Sequence, residues 1–400
     1  MRGLRVVPLF ALAAIALLVG ACAPPPSPAV AKLAYASDHG CVLISNSTTP
    51  VKCWGGNNNY DLPIDSAHFS EPTTAAPLLG GAVQISGYCA VMRGGGVKCW
   101  GPNNYGQLGI GTAGAAVGTP VDVVGITNAT QVSSTAGTHA CAVVGTGSVK
   151  CWGVNYTGAL GNGAPGLYSP VPVDVVGLTD AVQVVDGNLH TCALRATGSV
   201  VCWGWQVTGS LGNGIDEAAI QAAAHSDPPV TIPDYVAQPV PVDLITTATK
   251  IAAGSRFSTC AVLSGGMVQC WGENNEAQLG AGFISDDIPS PTTVVGVAGA
   301  TDVALGVYHG CATVTGGGVK CWGDNYYGEA GQVANQGTAT PILTPSPVAG
   351  LSGVKTLAAG DEHSCAIVGS GVKCWGYNWN TALGNTNAGG PVPFAVMNVP

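Results

Sequence analysis

The sequence predicts an all-β fold, a seven-bladed β-propeller of four-stranded antiparallel blades, on three observations. Cys-Trp-Gly occurs seven times at intervals of 46 to 68 residues, which indicates repeated supersecondary units. Fifty-nine glycines and 27 prolines punctuate short valine-rich runs. No long segment has the apolar spacing of a helix. Four short strands per repeat, seven times over, are typical of a propeller.

The N-terminus predicts export. Arg2 and Arg5 precede an apolar run over 6–19, and Val19-Gly20-Ala21-Cys22 has the form of a lipobox, in which Cys22 becomes lipidated. We therefore predict a lipoprotein signal peptide at 1–21 and a proline-rich tether at 22–32 that holds the domain off the membrane. Ordinary cleavage after Ala23 is the alternative, since Ala21-Cys22-Ala23 is an A-x-A pattern.

The remaining fourteen cysteines fall into closely spaced pairs, which an exported protein is expected to oxidise. Opposed residues of a hairpin lie within disulfide range, provided that the turn has the right number of residues. The predicted disulfides are Cys41–Cys53, Cys89–Cys99, Cys141–Cys151, Cys192–Cys202, Cys260–Cys270, Cys311–Cys321 and Cys365–Cys374.

Zinc is the competing interpretation of these cysteines, because a histidine precedes the first cysteine of five pairs by two positions. The histidines are His39, His139, His190, His309 and His363. The other two repeats have Gly87 and Ser258 there, and no C-x₂₋₄-C element is present. We therefore expect neither a metal nor a cofactor. The recurrent histidines and tryptophans are interpreted as structural, packing or hydrogen-bonding between blades.

The predicted propeller domain spans 33–400. In one repeat the strands are placed at 182–186, 191–196 and 199–204, with a Pro-Val strand at 171–176. The chain enters the first repeat without a Pro-Val strand, and it ends on a similar segment, 391–400. We therefore expect the C-terminal strand to complete the blade that residues 33–54 begin.

The repeat G-x-V-x-C-W-G-x-N-x-x-G-x-L-G resembles that of the regulator of chromosome condensation (RCC1) family, especially its cysteine-bearing bacterial surface members. The resemblance covers essentially 33–400 and implies a seven-bladed propeller. Gln206 and Ala330 depart from the asparagine and leucine positions of the motif. Members of the family include a nuclear guanine-nucleotide exchange factor that binds chromatin and a secreted inhibitor of β-lactamases, so the resemblance does not choose a function.

Charge and motifs exclude several function classes. The net charge is −9, and it becomes −11 without Arg2 and Arg5, so the surface repels nucleic acid. Nucleotide exchange would need a small GTPase in the same compartment. No nucleophile elbow, P-loop or H-E-x-x-H motif occurs. An enzyme with its site at the central channel is therefore the least favoured class.

Strand parity places two sets of loops on one face of the disc, and sequence varies most there. That face receives an acidic insertion at 215–237 and most of the off-pattern aromatic residues. Exposed aromatic side chains are common anchors of protein interfaces. The predicted partner-binding residues are Tyr105, Tyr156, Trp205, Arg256, Phe257, Tyr308, Tyr326, Tyr327, Tyr377 and Trp379.

These observations predict a non-enzymatic recognition scaffold at the cell envelope or surface, or secreted. We expect a monomer that binds a protein partner, with a basic partner favoured by the acidic surface. A carbohydrate-binding propeller is the alternative, because tyrosine and tryptophan also stack on sugar rings.

Overall fold

The computed structural model describes residues 29–45, 47, 50–57, 60–63, 69–74, 77–134, 137–226 and 228–399. Seven four-stranded antiparallel sheets follow one another along the chain, each in the order first, second, third and fourth strand. The predicted seven-bladed propeller of four-stranded blades is confirmed. The predicted signal peptide and Cys22 lie outside the described residues.

Blades 1 to 4 are formed by these strands, four to a blade in chain order: β1 Ala29–Ala36, β2 His39–Ser45, β3 Val51–Gly55, β4 Phe69–Thr74; β5 Ala82–Ser86, β6 Cys89–Met92, β7 Val97–Asn103, β8 Gly114–Asp122; β9 Ala129–Ser133, β10 His139–Val144, β11 Ser148–Val154, β12 Tyr168–Asp174; β13 Ala181–Asp186, β14 His190–Arg195, β15 Val200–Trp205, β16 Tyr235–Pro241.

Blades 5 to 7 are formed in the same way: β17 Ala248–Ala253, β18 Ser258–Leu263, β19 Val268–Glu273, β20 Asp287–Thr293; β21 Ala300–Leu305, β22 His309–Val314, β23 Gly318–Gly323, β24 Ile342–Pro347; β25 Val354–Ala359, β26 His363–Val368, β27 Gly371–Gly376, β28 Gly390–Ala395. Two short 3₁₀ helices cover Pro77–Leu79 and Trp379–Thr381.

The first strands of all seven blades line a central channel. Because the strands are antiparallel, the turns between first and second strands lie on the same side of the disc as the loops between third and fourth strands. We call this side the loop face. The opposite side, which carries the turns between second and third strands and the connections between blades, is called the turn face.

The recurring Cys-Trp-Gly joins adjacent blades. Neighbouring residues of a strand point to opposite faces of the sheet, so the cysteine packs against the next blade and the tryptophan against the preceding one. Cys141 and Cys151 of blade 3 accordingly share one buried cluster with Trp203 of blade 4. The same pairing occurs in every cluster around the ring, including blades 7 and 1.

The seven predicted disulfides are confirmed. Each joins directly opposed residues of the second and third strands, with Cα atoms 4.0–4.1 Å apart. The number of residues in the turns also agrees with the prediction. Cys365 and Cys374 are nine positions apart, and because Val368 is opposite Gly371, the turn between their strands has two residues.

Every tryptophan of the motif is fully buried and donates its indole N–H to a carbonyl of the preceding blade. Trp203 donates to the Ala159 oxygen at 2.8 Å, and Trp54 of blade 1 donates to the Ala382 oxygen of blade 7 at 3.0 Å. The five other bonds measure 2.8–3.1 Å. The structural interpretation of these tryptophans is therefore correct, and the bonds link each blade to the one before it.

Glycine is required after each of these tryptophans. The backbone there has a φ of +91° to +104°, which disfavours a side chain. At Gly153, an added Cβ would also lie 2.8 Å from the Thr138 carbonyl oxygen of the neighbouring strand.

The predicted closure by the C-terminal strand is wrong. β28 pairs with β27 and completes blade 7, whereas blade 1 has its own fourth strand, Phe69–Thr74. Every blade is therefore continuous in sequence. The Pro-Val segment 171–176 likewise overlaps β12, the fourth strand of blade 3, and not a strand of blade 4. The Pro-Val segments resemble one another because they occupy the same position in their blades. That resemblance does not show whether the position is the first or the last strand of a blade.

The ring closes by packing between blades 7 and 1. Val396, just after β28, shares a buried cluster with Trp54, and the Lys52 amine donates to the Asn398 carbonyl oxygen at 2.7 Å. β1 begins at Ala29, so its first four residues fall within the range predicted as the tether.

The insertion between β15 and β16 contains the helix α1, Glu217–Ala224. Asp216 caps its N-terminus, since its carboxylate accepts from the Ala219 N–H at 2.7 Å. No residue of this helix is buried, so it stands on the loop face as an exposed addition to blade 4. Among the described residues, no helix has the length and apolar character needed to cross a membrane.

Candidate functional site

Four of the predicted binding residues form a continuous run of rings on the loop face, which we call the aromatic ladder: Tyr326, Tyr327, Tyr377 and Trp379. Tyr326 meets Tyr327 edge-on at 5.0 Å between ring centroids. Tyr327 stacks on Tyr377 at 4.1 Å, and Tyr377 lies nearly parallel to Trp379 at 6.3 Å. The two ends of the ladder are the most open, with Tyr326 48% and Trp379 62% exposed.

The ladder crosses from blade 6 to blade 7 because two loops between third and fourth strands lie side by side. Tyr326 and Tyr327 follow β23, and Tyr377 and Trp379 follow β27. The Tyr327 N–H donates to the Glu329 carboxylate at 2.8 Å, and the Tyr377 N–H donates to the Glu362 carbonyl oxygen at 2.9 Å. The backbone beneath the rings is therefore fixed by hydrogen bonds within each blade.

A cavity of about 310 Å³ opens beside the ladder where blades 7 and 1 meet. We call it the seam cavity. Residues from blades 6, 7 and 1 line it: Ser37, Asp38, Val307, Asp361, Glu362, His363, Tyr377, Trp379 and Ala382. It thus combines two rings of the ladder with three carboxyl groups.

Carboxyl groups of the seam cavity are held by blade 1 and blade 7 together. The Ser37 hydroxyl donates to Asp361 at 3.0 Å, and the Asn380 amide donates to Asp38 at 2.6 Å. Partial burial raises the pKa of Asp361, and the charge of Asp38 raises it further. The pKa of Glu362 is also raised, first by burial and then by the charges of Asp361 and Asp324. The cavity is therefore a region of concentrated negative charge.

Three further predicted residues form a separate cluster at blades 5 and 6. The Arg256 guanidinium donates to the Tyr308 hydroxyl and lies 5.1 Å from the Tyr308 ring centroid and 5.9 Å from that of Phe257. Glu273 completes the cluster with an ion pair to Arg256 at 3.4 Å. The Arg256 guanidinium is therefore already bound by other side chains of the same chain.

The other predicted residues lie apart from the ladder. Tyr105 contacts Tyr168 edge-on at 6.4 Å, on the side of blades 2 and 3, and Tyr156 is half exposed in the loop after β11. Trp205 ends β15 in blade 4, half-buried and opposite Tyr235. The two tryptophans outside the repeat motif, Trp205 and Trp379, thus belong to blades 4 and 7 and do not form one cluster.

The predicted residue set omitted Asp38, Asp361, Glu362 and His363. Asp38 and Glu362 occupy the same turn position in blades 1 and 7, each directly before the recurrent histidine. Ring closure brings these turns together although more than 300 residues separate them. Comparing the acidic residues before the histidine in the first and last repeats would have indicated the cavity.

The central channel carries structural polar contacts. Gln84, Gln131 and Gln183 each bond the backbone of the next blade's first strand, as in the bonds of Gln131 with the Val184 N–H at 2.8 Å and the Val184 oxygen at 2.9 Å. At blades 5 and 6, Lys250 pairs with Asp302 instead. Within the described part of the chain, no three His, Cys, Asp or Glu side chains are placed to hold a metal ion.

The sequence pattern named regulator of chromosome condensation (RCC1) repeat matches four segments of this chain. They are residues 146–194, 181–209, 248–278 and 300–329, in blades 3 to 6. This chain is a propeller that contains RCC1 repeats. Three of the matches cover the first three strands of one blade, and the match at 146–194 runs from the third strand of blade 3 to the second strand of blade 4.

Curated relatives of the RCC1-repeat propeller are larger proteins. The human E3 ubiquitin-protein ligase HERC2 is 27% identical over 357 residues, which cover 84% of this chain and 7% of HERC2. The Arabidopsis thaliana ultraviolet-B receptor UVR8 is 36% identical over 140 residues, 34% of this chain and 30% of UVR8. The chain thus matches a small part of each relative's length.

Solved structures share the fold of the RCC1-repeat propeller at low sequence identity. Yeast RCC1 (Prp20), solved with Kap60 bound, superposes with a TM-score of 0.71 at 20% identity, covering 87% of this chain and 83% of that one. Human WBSCR16 gives a TM-score of 0.65 at 19% identity, covering 92% and 81%. At these identities the similarity establishes the architecture.

Proposed function

We propose that the protein is an exported recognition module that binds a protein partner through the loop face, at the aromatic ladder and the seam cavity. The observation that carries this proposal is the run of four contacting rings beside three carboxyl groups. Large exposed aromatic side chains supply much of the binding free energy of protein interfaces. Clustered carboxylates favour encounter with a basic partner.

The distribution of aromatic side chains supports the choice of face. The exposed aromatic side chains of the described residues lie in or beside the loops between third and fourth strands, whereas the exposed apolar residues in the connections between blades, such as Leu244 at 90% exposure, are not aromatic. Single exposed apolar residues are ordinary, whereas contacting groups of them mark interaction sites. The yeast neighbour Prp20, which shares this architecture, was solved with the protein Kap60 bound to it.

The proposal includes export and a lipid anchor at Cys22. Seven disulfides support export, since such bonds persist in oxidising compartments. The lipobox supports the anchor. Growth with an alkyne-tagged fatty acid should label the wild-type chain and not Cys22→Ser; equal labelling of both would contradict the anchor.

The test of the binding proposal is affinity capture from the envelope of the producing cell, with the full chain and matched variants. Trp379→Ala and Tyr327→Ala remove rings of the ladder, whereas Leu244→Ala removes an exposed side chain from the turn face. A partner retained by Leu244→Ala and lost by both ladder variants supports the proposal. A partner lost only with Leu244→Ala would place binding on the turn face.

A carbohydrate partner is the second candidate, favoured by the geometry of Tyr377 and Trp379. Their rings are 13° from parallel and stand beside Asp38 and Glu362, groups that accept hydrogen bonds from hydroxyls. A glycan-array signal that disappears in Trp379→Ala and persists in Trp205→Ala would support this candidate. No catalytic role is part of either proposal.

A further inference from the structure

We propose that the seam cavity receives one guanidinium or ammonium group, carried by a basic side chain of the protein partner. This inference rests on the proposed function and deepens it, because it names the chemical group that the partner inserts. The cavity of about 310 Å³ is large enough for the end of such a side chain with some of its solvent.

The charge of the seam cavity favours a cation. Asp38, Asp361 and Glu362 line it, and no lysine or arginine occurs among its described lining residues. Three carboxyl groups that repel one another gain a favourable interaction when a cation enters between them. Their hydrogen-bond acceptors also match the donors of guanidinium and ammonium groups.

The aromatic walls favour the same ligand. Tyr377 and Trp379 both border the cavity, and the Trp379 side chain is 62% exposed. A cation within about 6 Å of such a ring is attracted by the ring quadrupole. Carboxylates combined with aromatic faces therefore distinguish a basic side chain from a neutral one of similar length.

The protein already holds one cation by this combination of groups. Arg256 lies against the rings of Tyr308 and Phe257 and pairs with Glu273, on the same face of the disc. The seam cavity offers the equivalent groups, rings and carboxylates, with no cation of the described chain among them. The inferred ligand is the group that Arg256 supplies at blades 5 and 6.

His363 adds a polar ring to the wall of the cavity. Three of the other four recurrent histidines bond a hydroxyl of the next blade, His139 with Thr191, His190 with Thr259 and His309 with Ser364, at 2.7–2.8 Å, whereas neither ring nitrogen of His39 has a hydrogen-bond partner among the described residues. The residue of blade 1 that corresponds to these hydroxyls is Gly40, which has no side chain to bond.

The His363 Nε2 has no hydrogen-bond partner within the described residues, although the side chain is 2% exposed and lines the cavity; one ring nitrogen of His190 and one of His309 are also unpaired, but neither of those histidines lines the cavity. Burial lowers the pKa of His363 to about 3, so the ring stays neutral and keeps a nitrogen lone pair at neutral pH. A neutral imidazole can accept an N–H bond from a cation at little electrostatic cost. The cavity thus contains an unused acceptor in addition to its carboxylates.

Fluorine NMR of the full chain labelled with 5-fluorotryptophan tests the inference directly. The Trp379 resonance is assigned by its loss in Trp379→Phe. The probes are N-acetyl-arginine amide, N-acetyl-lysine amide and the neutral isostere N-acetyl-citrulline amide. We expect saturable shifts of the Trp379 resonance with one or both cations and none with citrulline, and the stronger binder identifies the preferred cation.

Matched carboxylate variants complete the test. Glu362→Gln should weaken cation binding by roughly tenfold, since a charge-assisted hydrogen bond and part of the local field are lost. Glu276→Gln removes a half-buried carboxylate of the loop face outside the cavity and should leave the affinity within about twofold, as expected of a distant surface charge. Equal binding of citrulline, or unchanged affinity in Glu362→Gln, would overturn the inference.

The two proposals can fail separately. Cation binding at the cavity together with partner capture through the turn face would contradict the proposed function and leave the cation site standing. Partner capture through the ladder, retained in Glu362→Gln and without any cation-induced shift of Trp379, would keep the proposed function and remove the inference.

Discussion

The seams between blades 3 and 4 and between blades 7 and 1 are built from the same repeat, yet polar contacts join them differently. At blades 3 and 4, Gln131 bonds the backbone of Val184, and His139 bonds Thr191 at 2.8 Å. The indole of Trp203 adds a third bond to Ala159. All three contacts are largely shielded from solvent, and all three recur between blades 4 and 5.

Between blades 7 and 1, the tryptophan contact is present, as the bond of Trp54 to the Ala382 oxygen, and the glutamine and histidine contacts are absent from the described residues. Thr356 occupies the position of Gln131 and, within the described residues, makes no side-chain hydrogen bond to β1, while Gly40 replaces the hydroxyl partner of His363. The Tyr35 ring fills the space beside Gly40 and packs edge-on against His363 at 4.6 Å. Polar contacts reappear at the rim, where Ser37 bonds Asp361 and Asn380 bonds Asp38.

The two seams differ in their polar contacts and share the contacts of the repeat motif. The tryptophan, the disulfide and the apolar cluster are common to all seams, whereas the glutamine and histidine contacts are present at some and absent at others. The seam cavity lies at a seam that lacks the glutamine and histidine contacts, and carboxyl groups stand at its rim. Loss of structural contacts at this seam leaves acceptors available for a partner.

The largest expected effect is the loss of a motif tryptophan. Trp203→Ala and Trp54→Ala should each destabilise the protein by about 3–5 kcal/mol, because each removes a fully buried indole and a hydrogen bond between blades. The measurement is guanidinium unfolding of the oxidised chain. Similar losses at both seams would support a common core; a cost below about 1 kcal/mol for Trp54→Ala would show that blades 7 and 1 are not closed in this way.

A smaller and unequal effect is expected at the channel. Gln131→Ala should cost about 1–2 kcal/mol, because it leaves the N–H and C=O of Val184 without their bonds. Thr356→Ala, at the corresponding position of blade 7, should cost about 0.5 kcal/mol or less, as it removes no bond between blades. Equal melting temperatures for the two variants would remove the distinction between the seams.

The smallest expected effect concerns pH. Burial lowers the pKa of His190 to about 3, with the charge of His139 as a second cause, whereas the unfolded chain titrates near the ordinary value of 6.5. Below pH 6.5 the unfolded state therefore binds a proton that the folded state does not, and stability falls as the pH decreases toward 3.

His190→Gln should remove one such proton difference. The melting temperature of this variant should fall less steeply between pH 6.5 and 4 than that of the wild type, whatever its value at neutral pH. Glu329 has the opposite dependence, since burial raises its pKa to about 8 and makes the fold less stable as the pH rises toward that value. Comparing variant with wild type at each pH isolates the histidine. Identical slopes would mean that His190 is accessible to protons in the folded state.

The repeat made most of the fold predictable. Cys-Trp-Gly at a period near fifty residues indicated the blade, and the cysteine spacing and turn parity indicated each disulfide. The blade boundary was not predictable from the Pro-Val segments, because a fourth strand and a strand that opens a repeat look alike in sequence. Blade 1 also carries a fourth strand, Phe69–Thr74, that lacks the Pro-Val pattern.

The candidate site was predictable in part. Counting strand parity placed the loop aromatic residues on one face, and four of them form the ladder. The sequence did not separate Trp205 from Trp379, because their similar distances from a motif tryptophan say nothing of the angle between blades 4 and 7. The carboxyl groups of Asp38 and Glu362 converge only through ring closure, an effect of tertiary structure that no local pattern records.

Site-specific photo-cross-linking in the producing cell tests the central claim most directly. A photoreactive aromatic amino acid, which keeps a ring in the ladder, replaces Trp379 at the seam cavity in one strain and Leu244 on the turn face in another, and cross-linked products are compared by mass spectrometry. Recognition through the loop face predicts a discrete partner cross-linked from position 379 and absent from position 244. The same partner cross-linked from position 244 alone would contradict it.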